Sequence, residues 1–217
     1  MPESARIERV ISRLVLEIIV GQAHLVVAKG LSTSDPVVLN TANTFFAMSI
    51  DAHLYAAEMY AARLYDTTRG TVTIEMLLTR AEKAAGTAKC GTASEVRSEI
   101  EAARKQIAQL KAPLDSLKER RNEWLAHTDQ STLANPMLMA RLASDELDEL
   151  QRIYRISGEI VNEFSRLFLD ITNILELLGQ TDYESVIKLV SDAKCEQVRR
   201  YEAQFGPAPF QRPRGCE

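Results

Sequence analysis

The stretch from Lys118 to Asp129, K-E-R-R-N-E-W-L-A-H-T-D, gathers the side chains of this chain best suited to chemistry. It holds the only tryptophan, Trp124, one of three histidines, His127, and the pair Arg120-Arg121 followed by Asn122. Histidine titrates near neutrality and serves as acid or base. Arginine stays charged and offers an anion a planar fork of donors. Leu117, Trp124 and Leu125 answer to packing, and Glu119 and Glu123 offset the two arginines. Asn122 and the His127-Thr128-Asp129 run exceed what helix packing needs. Arg and His alone carry little: with 18 Arg and three His in the chain, an Arg followed by His after four to six residues arises by chance roughly 0.7 times.

Other motifs are weaker. Gly86-Thr-Ala-Lys-Cys-Gly91 imitates the opening of a phosphate-binding loop, but Thr92 and Ala93 stand where Lys-Ser/Thr belongs and no strand precedes it. There is no H-E-x-x-H, and the residues three before His24, His53 and His127 are Gly21, Ile50 and Trp124, so the Glu-x-x-His of a di-iron bundle is missing. His24 and His53 read as isolated helix residues. No metal site and no cofactor is expected. Cys90, Cys195 and Cys216 form no C-x-x-C pair, which argues against a disulfide framework or a cysteine zinc site and fits a reducing cytoplasm. Arg199-Arg200, Arg212 and Arg214 read as a solvated basic end.

The positioning elements are helices. Ala, Leu, Glu and Arg are abundant and aromatics sparse. Ile7, Val10, Ile11, Leu14, Ile18 and Leu25 predict a helix over 6–29 with Gly30 as its stop. Asp35-Pro36 opens a second, reaching Tyr65 or Asp66, whose Phe45-Phe46-Ala47-Met48 middle is apolar all round and expected to be central. Thr73 caps a short helix over 74–84. Thr92-x-x-Glu95 has capping-box spacing and opens a helix over 92–127 that Pro113 must kink or break. A helix over 144–178 follows, then a last one opened by Thr181-x-x-Glu184 and reaching Gln204. These make an all-α, up-and-down bundle of four to five main helices, one domain over 1–205, with 206–217 as a flexible tail.

Charged residues interrupt the N-terminal apolar run, and no stretch approaches the eighteen or so uninterrupted apolar residues of a membrane span. A cytoplasmic protein without membrane contact is the expectation. Net charge is −4, so contact with nucleic acid would need a local basic patch or one made by pairing subunits.

R-N-E-W-L-A-H-T-D at the end of a long helix in an all-α chain resembles the HEPN superfamily and its R-x(4–6)-H motif. Arg121 and His127 fit with five residues between, Arg120 with six, and Asn122 matches the polar residue that follows the family arginine. Within the superfamily the chain is most similar to the abortive-infection AbiU-type proteins, through this run and the upstream Ala61-Ala-Arg-Leu-Tyr-Asp66 segment, with a short apolar helix after it, over roughly residues 40 to 180. The resemblance implies a metal-independent endoribonuclease, often a toxin or phage-defence effector, acting as a homodimer on RNA. Arg121, Asn122 and His127 would be catalytic, and Lys118 and Arg120 would bind RNA. Some HEPN proteins pair with a nucleotidyltransferase antitoxin. This chain lacks that partner's G-S…D-x-D pattern, so such an antitoxin would be a separate chain.

On a regular helix, six residues leave Arg121 and His127 about 120° apart and about 9 Å apart along the axis. The expectation is that His127 lies in the following loop and that a second subunit completes the cleft. Two alternatives stand beside this reading: a non-catalytic HEPN module binding nucleotide or a partner, and a plain helical interaction protein in which the motif is coincidence.

Overall fold

A computed structural model describes residues 3–68, 70–126 and 144–216, with backbone alone for 121–126 and 144–145. The described residues contain seven long helices, one single-turn helix and no strand. In chain order these are α1 (Glu3–Ser32), α2 (Pro36–Leu39), α3 (Asn43–Leu64), α4 (Ile74–Lys83), α5 (Ala93–Ala108), α6 (Lys111–Ala126), α7 (Ser144–Leu169) and α8 (Tyr183–Phe205). The expected all-α bundle is the fold.

The caps that the sequence predicts are in place where they are local. The Asp35 carboxylate accepts from Val37 N at 2.9 Å, Thr73 Oγ1 from Met76 N at 3.2 Å, and Thr92 and Glu95 form the complete capping box. Each satisfies amides that a helix start leaves without partners.

Several boundaries differ. α1 runs past Gly30 to Ser32, and Gly30 instead lies against the Tyr183 ring, which a Cβ would overlap. The helix expected over 36–66 is broken: a 3₁₀ turn, Asn40–Ala42, separates α2 from α3, and Thr41 Oγ1 bonds the Val38 carbonyl there, the local competition that Asn and Thr offer a helix. Phe45 and Met48 are 61% and 68% exposed, so this stretch, the first turns of α3, is not central; of its four residues Phe46 alone is buried, beside Leu31 and Ile50. The helix expected over 92–127 breaks at Gln109-Leu110, and Pro113 falls in the first turn of α6, where a missing N–H costs nothing.

The helix expected over 144–178 stops at Leu169. Asp170 takes φ 61°, and Asn162 on α7 captures the returning chain: its Oδ1 accepts from Asn173 N at 2.8 Å and from Asn173 Nδ2 at 3.0 Å. The N-cap of α8 is Asp182, without a side-chain cap bond, so the expected Thr181–Glu184 box does not form.

The segment expected to be a flexible tail is held. Cys195 on α8 and Cys216 form a disulfide, against the expectation of unpaired thiols. Arg212 Nη2 donates to Glu202 at 2.6 Å, and Arg214 N donates to Asp35 at 2.5 Å. Phe210 lies edge-on to Tyr201, their ring centres 5.2 Å apart.

The core lies where α1 and α7 meet α3, α4 and α5. Ile7, Ile11, Leu14 and Ile18 from α1, Leu64, Leu77 and Leu78 from α3 and α4, and Tyr154 and Phe164 from α7 are all but completely buried. α1 is long and apolar enough to cross a membrane by length and composition, which its scattered charges had argued against. In the bundle its apolar face is spent on α3 and α7.

Candidate functional site

The candidate site is the end of α6 and the corner it forms with α3 and α4. Leu110 and Leu117, buried, seat α6 on the core. Arg120 fixes its height. The Arg120 Nε donates to Glu58 Oε1 of α3 at 2.9 Å, one Nη donates to Ser116 Oγ at 2.8 Å, and the same Nη lies 3.7 Å from Glu146 of α7. The Arg120 and Glu58 side chains are only 17% and 19% exposed. Arg120, expected to hold RNA, is thus a brace joining three helices, and its guanidinium is occupied by carboxylates. Arg121 and Asn122 follow on α6, their side chains outside the described residues, as are those of Trp124 and Leu125. His127 lies outside the described residues altogether.

Lys118 is exposed, with no ion pair to any described residue. It lines a cavity of about 710 Å³ between residues 65–68 and 70–73, α4 and the α5–α6 corner. The segment Ala61–Asp66 leads into this cavity. Ala61 and Leu64 are buried in the core. Tyr65 is anchored to α7: Ser157 Oγ donates to the Ile153 carbonyl at 2.7 Å, so the Tyr65 hydroxyl donates to Ser157 at 2.8 Å. Burial pushes that phenol up to about 12. Asp66 closes the turn, accepting from Thr68 N at 2.9 Å and Thr68 Oγ1 at 2.8 Å. Two stretches far apart in sequence, 61–66 and the first half of α6, therefore meet at one cavity.

A second polar cluster was not foreseen. His24 and His53 are paired, Nδ1 to Nδ1 at 2.8 Å, across the seam of α1 and α3. Tyr60 stacks on His24 with ring centres 5.9 Å apart, the Arg63 guanidinium lies 5.1 Å over the Tyr60 ring, and Arg63 reaches the buried Glu17 at 3.6 Å; Arg13 also pairs with Glu17. Burial holds both imidazoles below their ordinary value, and the charge of His53 lowers His24 further. The signal was available: His24 lies twelve residues before Pro36 and His53 fourteen after Leu39, so an antiparallel hairpin about α2 brings them level. Among the described residues no group of three or more His, Cys, Asp or Glu side chains could hold a metal ion.

The imitation phosphate loop is accounted for. The Lys89 and Cys90 amides, which a phosphate would need, both donate to the Leu167 carbonyl, at 2.9 and 3.0 Å. The loop ties α5 to α7.

Residues 33–189 match the AbiU2 family of HEPN proteins. The chain belongs to that family. No curated protein and no solved structure matches it. The match begins after α1 and ends within α8, so it contains the 61–66 segment, the cavity and the α6 end. The chain is accordingly an abortive-infection-associated HEPN domain.

Proposed function

We propose that this AbiU2-family chain is a metal-independent endoribonuclease, a toxin or phage-defence effector working in a homodimeric cleft. The observation that carries the reading is the treatment of α6. The helix bearing Arg121 and Asn122 is braced at Arg120 by two carboxylates from other helices, while Lys118, one turn before, is left exposed and unpaired among the described residues. That is a held platform with a spare cation.

RNA cleavage without a metal uses the ribose 2′-OH as nucleophile. A base removes its proton, the oxygen attacks the adjacent phosphorus, and an acid protonates the departing 5′-oxygen. A fixed cation stabilises the charge growing on the phosphate. His127 has the titration for the acid or base role and Arg121 the fork for the phosphate. Asn122 would orient one or the other. One chain supplies one such histidine. A two-fold pair supplies the second, and it concentrates Lys118 and Arg121 from both subunits into a basic cleft on a protein of net charge −4.

The test is cleavage of RNA in EDTA by wild type, Arg121→Ala and His127→Ala. Wild type is expected to cut. Loss of one acid–base group should slow it by about 10²–10⁴-fold. Cleavage that survives both substitutions, or that stops with EDTA, would overturn the mechanism. A non-catalytic module would show activity indifferent to His127→Ala.

A further inference from the structure

We infer that the cavity between residues 65–68 and 70–73, α4 and the α5–α6 corner is the base-binding pocket of the RNA site, holding one unstacked nucleobase with its phosphate against Lys118. The assignment rests on the ribonuclease reading for the identity of the strand and adds to it where, and in what form, the strand is held.

Size comes first. A volume of about 710 Å³ lies within the roughly 300–1,000 Å³ of small-ligand pockets and admits a nucleobase with its sugar, but no helix or duplex. The lining is the second argument. Met76, Ile107, Leu114 and Leu117 are apolar residues of the lining, and Tyr65 is an aromatic one. Thr67 and Thr79 are hydroxyl-bearing residues of the same lining. Apolar walls with a few polar groups suit a flat heterocycle with hydrogen-bonding edges.

Charge decides which part of a nucleotide goes inside. Asp66, Glu75 and Asp115 line the cavity with Lys111 and Lys118. Lys111 is committed to Asp115 at 2.5 Å, and Glu75 to Arg104 at 3.4 Å. A polyphosphate would need free cations inside the pocket, where the described Lys111 is already paired. A neutral base would not, and Lys118, on the lining and without a described ion pair, is placed for the single phosphate that follows it. Arg121 comes three residues later on α6, about 4.5 Å along the axis. A base seated in the pocket therefore leaves its neighbouring phosphate within a helical turn of the proposed catalytic arginine. Because the base must be splayed out of its stack, the site selects single strands.

The experiment uses the full chain and a fluorescent 2′-fluoro oligonucleotide, which lacks the 2′-OH nucleophile and so reports binding without cleavage. Thr79→Trp and Ala108→Trp each add a bulky ring to the lining, one from α4 and one from the end of α5, at solvent-exposed helix positions, and circular dichroism confirms that each variant is folded. Single-strand affinity is expected to fall at least tenfold in both variants, in line with the loss of one base contact. Lys118→Glu is expected to weaken binding and flatten its salt dependence. Duplex of the same sequence should bind at least tenfold more weakly than the single strand. Unchanged affinity in both folded tryptophan variants, or no binding of the single strand by wild type, would overturn the pocket. Nucleoside monophosphates binding as tightly as the strand would overturn its assignment to RNA and make the ligand a free nucleotide. Failure of the ribonuclease reading looks different: tryptophan-sensitive binding together with cleavage that is absent or indifferent to His127→Ala.

Discussion

The α1–α3 seam and the α3–α4–α6 corner are both polar, and they treat polarity in opposite ways. Along the seam the charged and aromatic groups answer one another: Glu17 with Arg13 and Arg63, Arg63 with Tyr60, Tyr60 with His24, His24 with His53. The Tyr154 hydroxyl, entering beside Gly21, donates to the Ala57 carbonyl at 2.5 Å. At the corner Arg120 is spent in this way, and so are Lys111 on Asp115 and Glu75 on Arg104. Lys118 faces water, and the space beside it is open. Buried polar groups are costly unless paired, so a seam that pairs its groups is holding helices together. A corner that leaves a cation beside a cavity without an ion pair to any described residue has not spent it on them.

The strongest way to break the comparison is at Gly21. A Cβ there would overlap the Tyr154 hydroxyl and ring, and Tyr154 is fixed by its bond to α3. Gly21→Ala is expected to cost about 1–3 kcal/mol, the usual penalty of overpacking, read as a drop in Tm. An unchanged Tm would mean the seam is loose. Next is Arg120→Ala, which removes the guanidinium that bonds Glu58. We expect a loss of about 1–2 kcal/mol in urea unfolding, accompanied by loss of cleavage because α6 is no longer braced. A variant with full stability but no cleavage would move Arg120 from the brace to the substrate.

Acidification tests the histidine pair. Both imidazoles are held below their ordinary value of 6.5, so as pH falls the unfolded chain takes up protons first. Their contribution is complete above about pH 6.5 and is lost as pH falls below it. Urea midpoints at pH 7.5 and 5.5 should differ by more in wild type than in His24→Gln/His53→Gln; equal differences would remove the pair from the stability of the seam. The smallest effect is expected at Lys118. Lys118→Ala should leave stability within about 0.5 kcal/mol, as at an exposed position without partners, and a larger loss would make the corner structural as well.

What the sequence made legible follows from how far each signal reaches along the chain. The caps at Asp35, Thr73 and Thr92 act over two or three residues and were readable. The end of α7 was not: Ile171 and Leu175 continue its apolar stripe, and the helix stops because Asn162 captures Asn173 eleven residues on. The Cys195–Cys216 bridge and the His24–His53 pair likewise depend on chain reversals that a linear reading does not supply. In the candidate site, the engagement of Arg120 was not legible, because it needed Glu58 and Glu146, each on another helix. The cavity was not legible, since it exists only where 61–66 and α6 are brought together.

Residues 33–189 carry the family resemblance, yet Ile7, Ile11, Leu14 and Ile18 lie ahead of them and are buried against α3, α4 and α7. The unit of kinship and the unit of folding are therefore different lengths of chain. A fragment cut at the borders of the match would keep the whole α6 corner and lose the helix that closes the core over it. Such a fragment would expose to water the apolar faces of α3 and α7 that α1 covers, the kind of patch that drives aggregation.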